Sequence, residues 1–153
     1  KGYFEYDKAT QLGSDSAWIG EGKGKVVKIV AQLLAKLPTE ISGHPVPYRI
    51  VFMERDLEEV VASQRTMLDL QGRQGAKLEQ ADLAAVFKEQ LQKVHGLIED
   101  RKIPCLVIRH ADAIRDANSV ADNLSKFFDG ALDVAAMAAV VDPALHREKA
   151  PAN

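Results

Sequence analysis

The stretch from Tyr48 to Leu68 constrains this chain more than any other. It opens with an apolar run, Ile50-Val-Phe-Met53, short and rich in β-formers, which reads as a buried strand. Arg55 and Asp56 follow at once, and then the period changes: Leu57, Val60, Val61, Gln64 and Leu68 make a helical stripe. Asp56 is placed to cap that helix, and Glu59, three residues on, has the spacing of a capping box. In open α/β sheets ligands sit beyond the carboxyl ends of the strands. A fixed cation there, just ahead of a helix N-terminus, reads as half of an anion site. Ser63 lies about two turns into the helix. A plainer arrangement uses the same residues: Arg55 paired with Glu59, and Ser63 bonded back to a carbonyl one turn earlier.

The rest of the chain supplies neighbours for this strand. Lys25 to Val30 reads as a second buried strand, in which Lys28 is costly unless its ammonium reaches water or an anion. The preceding Gly20-Glu-Gly-Lys-Gly-Lys25 lacks the spacing of a phosphate loop and leads into a strand, so it reads as a turn. Leu33, Leu34 and Leu37 follow up to Pro38, and residues 39–47 read as a connection. Gly72-Arg-Gln-Gly75 breaks the pattern before a helix over about residues 79–100, with Leu83, Phe87, Leu91, Val94 and Ile98 on one face. Pro104 to Ile108 is a third apolar strand, ending in Arg109-His110-Ala-Asp112, where His110 and Asp112 are an unspecific acid–base pair. A helix from Asp116 buries Val120, Ala121, Leu124, Phe127 and Phe128 and stops at Gly130. Asp133 caps a last short helix, and the tail from about residue 143 is expected to fray. Short apolar strands alternating with helices indicate parallel βαβ units, hence one α/β domain over residues 1–153.

Charge and cysteine content exclude some classes. Twenty basic against 22 acidic residues, a net charge of −2, argue against a large nucleic-acid footprint. No apolar stretch reaches the ~18 residues of a membrane span, and no signal peptide is apparent. The single cysteine, Cys105, excludes an internal disulfide and suits a small buried side chain in a reduced, cytoplasmic setting. The opening Lys-Gly-Tyr-Phe, without an initiator methionine, reads as a piece whose N-terminus lies elsewhere.

The stretch Val51-Phe-Met-Glu-Arg55-Asp-Leu-Glu-Glu-Val-Val-Ala-Ser63 resembles the P-loop sulfotransferase superfamily, in particular its bacterial sulfotransferase-domain members. There a strand ends in arginine followed by Asn or Asp, and a serine comes eight residues later on the helix. The resemblance implies that Arg55 and Ser63 bind the 3′-phosphate of the donor 3′-phosphoadenosine 5′-phosphosulfate and of its product, adenosine 3′,5′-bisphosphate. Val26-Val-Lys28-Ile-Val30 and the leucines up to Pro38 are similar to the family's Lys-Thr-His strand and the segment after it. That implies a catalytic role for Lys28 at the transferred sulfuryl group, and it places Val30 where the family has its catalytic histidine. Gly2-Tyr-Phe-Glu5, Phe127-Phe-Asp-Gly130 and Val141-Asp-Pro143 are weaker matches. The family's Pro-x-Ser-Gly-Thr phosphosulfate loop does not occur before Gly2. The implied fold is therefore a P-loop NTPase-like three-layer α/β fold with a parallel sheet, lacking its N-terminal strand and loop. The implied activity is sulfuryl transfer to a hydroxyl or amine of a small-molecule or protein acceptor. A non-catalytic nucleotide-binding scaffold of the same fold and a P-loop kinase-like protein are the alternatives.

Overall fold

The apolar runs at Ile50 and Cys105 pair with each other. The computed structural model describes residues 6–70, 72 and 80–145. In it strand β3 (Ile50–Glu54) and strand β4 (Cys105–Arg109) form a parallel ladder running from Ile50↔Cys105 to Glu54↔Arg109. Upstream, β1 (Glu40–Ile41) and β2 (His44–Pro45) make a small antiparallel hairpin. The helices are α1 (Leu57–Leu70), α2 (Gln80–Asp100), α3 (His110–Arg115), α4 (Ala117–Phe127) and α5 (Val134–Ala139). The chain is thus mixed α/β, with a small parallel sheet whose two strands are joined through α1 and α2. Among the described residues no helix is long and apolar enough to cross a membrane.

Two compact units result, one comprising Lys1–Arg49 with Glu89–Ile103 and the other Ile50–Lys88 with Pro104–Asn153. In the first, residues 7–36 carry short 3-10 turns, the C-terminal half of α2 is its regular helix, and Ala9, Leu12, Trp18, Leu34, Leu37, Val94 and Ile98 are buried. Arg101 fastens this unit by donating from Nη1 to the Leu37 carbonyl at 2.9 Å and from Nη2 to that of Ala35 at 3.3 Å. The Tyr48 hydroxyl donates to the Pro38 carbonyl at 2.8 Å. Loss of that half-buried contact would leave polar groups without partners in a small core.

In the second unit the ladder is half-covered on both faces. Parallel register sets Phe52 beside Val107 and Met53 beside Ile108, and in each pair one member is buried and the other exposed. Helix α1 starts at Asp56, whose carboxylate accepts from the backbone N–H of Glu58 at 2.8 Å and of Glu59 at 3.4 Å. Asp116 and Asp133 cap α4 and α5 in the same way. Helix α4 ends with Asp129 N–H bonded to Lys126 O and Gly130 N–H bonded to Ser125 O, the paired bonds of a Schellman stop. The left-handed residue there is Asp129 (φ 59), one position before the expected glycine, with Gly130 (φ 77) next.

Two expectations are corrected. Residues 25–30 form no strand: Val26 is 91% exposed, Lys28 and Val30 are exposed, and Val27 and Ile29 are half-buried. β-branched side chains favour extended backbone, but a strand also needs a neighbour for its N–H and C=O groups. Among the described residues no strand pairs with this run, so the parallel sheet described has two strands rather than three. The connection over residues 39–47 contains the β1–β2 hairpin, turned by Ser42 (φ 52) and Gly43 (φ 74), as a two-residue turn with both φ positive requires. Gly2–Glu5, residues 73–79, the Leu68 side chain and the tail from His146 lie outside what is described.

The alternation along β3 is testable. Phe52→Ala should lower the free energy of unfolding by about 3–5 kcal/mol, whereas Met53→Ala should cost under about 1 kcal/mol. Urea denaturation followed by circular dichroism measures both. Equal losses would contradict the assignment of Phe52 to the core.

Candidate functional site

The ladder's carboxyl edge gathers charge. β3 ends at Glu54 and passes through Arg55 and Asp56 into α1, while β4 ends beside it at Arg109 and passes directly into α3. Arg55 donates from Nε to Oε2 of Glu59 at 2.8 Å, with the two side chains 27% and 10% exposed. Ser63 follows Glu59 by one helical turn, about 6 Å along the axis, and is partly exposed. Arg55, Glu59 and Ser63 therefore follow one another at intervals of four residues along one side of the strand–helix junction, with the carboxylate in the middle. The structure brings Arg55 to Glu59. The opposite side of α1 carries Val61, which is 1% exposed and anchors the helix to the core.

Lys28 belongs to the other compact unit. It is exposed and helps to line a pocket of about 360 Å³ with Tyr6, Trp18, Glu21, Lys25 and Val27. The Tyr6 and Trp18 rings meet edge to face, centroids 5.2 Å apart, and the indole N–H donates to the Asp15 carbonyl at 3.1 Å. Lys8 reaches Glu21 at 3.4 Å on the rim. Trp18 escaped the sequence reading, although a lone tryptophan shortly before a lysine-rich run is the signal that would have drawn attention to this surface. Val30 is 44% exposed and begins the 3-10 turn Ala31–Lys36, its carbonyl accepting from Leu33 N–H at 3.0 Å. Its isopropyl group can accept no proton.

Of the acid–base candidates His110 and Asp112, the Asp112 carboxylate accepts from Arg115 Nη2 at 2.6 Å. Cys105 is half-buried at the start of β4. Burial first, and the Glu54 charge second, push its thiol above the ordinary range, the opposite of what a nucleophile needs.

No family model, no curated protein and no solved structure matches this chain. Functional inference therefore rests on the residues and their geometry.

With its pKa raised, Cys105 holds less thiolate at a given pH when the chain is folded. Iodoacetamide at pH 8 should alkylate the native chain more slowly than the urea-unfolded chain. Equal rates measured by intact mass would show the thiol to be exposed.

Proposed function

We propose that this is a sulfotransferase-like protein of P-loop NTPase-like architecture that binds 3′-phosphoadenosine 5′-phosphosulfate, with Arg55 and Ser63 at the 3′-phosphate. The observation that carries this reading is the junction at Arg55. A cation stands at the carboxyl end of a parallel strand and is followed within two residues by a capped helix. That helix bears the hydroxyl of Ser63 on the same side. A guanidinium fork and a hydroxyl, held by rigid elements, suit the three oxygens of one phosphate monoester.

In this reading Lys28 supports sulfuryl transfer by placing an ammonium near the non-bridging oxygens, where negative charge must be balanced during in-line displacement. The acceptor oxygen or nitrogen forms the new bond to sulfur while the bond from sulfur to the phosphate oxygen breaks, releasing adenosine 3′,5′-bisphosphate. The acceptor's proton must go to a base, and Val30 cannot take it. A group other than residue 30 then serves as base, and a cytoplasmic setting fits a single raised-pKa thiol. A second reading, a non-catalytic nucleotide-binding scaffold of the same fold, is favoured by that same Val30 and by the Arg55–Glu59 ion pair.

Calorimetric titration of the full-length protein with adenosine 3′,5′-bisphosphate tests the site. Arg55→Ala should weaken binding at least tenfold, about 1.4 kcal/mol. Equal affinities for parent and variant would remove Arg55 from the site. Sulfuryl transfer across a panel of hydroxyl and amine acceptors separates the two readings, since binding without turnover describes a scaffold.

A further inference from the structure

We propose that Glu59 is the resident counter-anion of the Arg55–Ser63 site, a carboxylate that an incoming phosphate must displace, and that it thereby sets the affinity threshold for ligands. The proposal rests on reading that site as a phosphate site. Its own support is the position of the carboxylate. Glu59 Oε2 lies 2.8 Å from Arg55 Nε, and the Glu59 side chain is only 10% exposed. Glu59 also stands between Arg55 and Ser63 in the four-residue progression along the junction.

The start of the helix is capped by Asp56. Its carboxylate accepts from the first backbone N–H groups of α1, at 2.8 Å from Glu58 and 3.4 Å from Glu59. The Glu59 carboxylate pairs with the arginine, and that pairing offsets the cation's charge within the protein itself. Any anion entering the site meets a guanidinium whose charge is already compensated, and it must bring more than one charge-assisted bond to prevail. A phosphate monoester, carrying nearly two charges and three acceptor oxygens at neutral pH, meets that requirement better than a carboxylate does. The threshold is the same for every ligand, so it excludes the weak ones.

The test uses the full-length protein and adenosine 3′,5′-bisphosphate. Glu59→Gln keeps an acceptor oxygen for Arg55 Nε while removing the charge. Calorimetry should show at least tenfold tighter binding, although the variant melts at a lower temperature. A merely structural Glu59 would give lower stability together with unchanged or weaker binding, and that result overturns the proposal. Glu58→Gln removes the same charge from an exposed neighbour in the same turn and should change affinity less than twofold. An equal gain there would make the effect one of overall charge and would likewise overturn the proposal. Should Glu59→Gln not fold, Glu59→Asp withdraws the carboxylate by one methylene, and tighter binding supports displacement where equal or weaker binding refutes it. If neither the parent nor the variants bind the nucleotide although all melt cooperatively, the phosphate-site reading fails, and this proposal falls with it.

Discussion

The parallel pairing of β3 with β4 is the constraint on which the second compact unit depends. Parallel neighbours cannot be joined by a tight turn, because the chain must return to the same end of the sheet before the next strand begins. Here the return uses α1 and α2, and the ladder is closed below by the Ile50 N–H bond to the Pro104 carbonyl at 2.9 Å. Two strands alone bury too little to persist in water. They hold because Phe52, Ile108 and Val61 are nearly sealed from solvent. The same parallel direction has a chemical consequence. Both strands finish at one edge, so Glu54 and Arg55 come to lie beside Arg109 and the start of α3.

At that edge one ion pair differs from the others described. Lys93–Glu89 and Lys126–Asp122 are exposed i,i+4 pairs of the kind that contributes little once salt and side-chain entropy act. Arg55–Glu59 spans the end of a strand and the first turn of a helix, with side chains only 27% and 10% exposed. Partial exclusion of water strengthens the attraction and also raises the cost of leaving either charge alone. Such a pair holds the strand–helix junction rigid. It also means that the arginine's charge is not simply on offer: a ligand gains only the difference between its own contacts and those of Glu59.

Strand β3 and helix α1 were legible because Ile50–Met53 and the stripe from Leu57 change period cleanly across Asp56, and local patterning survives tertiary packing. β4, α2 and the aspartate caps were legible for the same reason. Lys25–Val30 was misread because β-branched composition reports a preference for extended backbone and nothing about whether a partner strand exists. The β1–β2 hairpin was missed because its strands are two residues each, too short for alternation to register, and the Ser42-Gly43 turn was the only cue. At the site both arrangements of Arg55 weighed from the sequence were in view. Spacing of four residues permits the pair with Glu59, and spacing of eight permits a shared ligand with Ser63. Sequence cannot rank them, since the choice depends on how far water is excluded from the carboxylate.

Binding and turnover make different demands on these residues. Holding a phosphate needs fixed charge and donors, which in the proposed reading come from Arg55 and Ser63 on one strand–helix junction within a single compact unit. Moving a sulfuryl group needs in addition a cation at the transferred group and a place for the acceptor's proton. The candidate cation, Lys28, is an exposed side chain on an irregular segment, and residue 30 beside it is a valine. In that reading a valine at position 30 would remove proton transfer by that residue and leave contacts made by Arg55 and Ser63 as they are. In the proposed reading nucleotide affinity and catalysis are therefore separable, and the first would carry no information about the second.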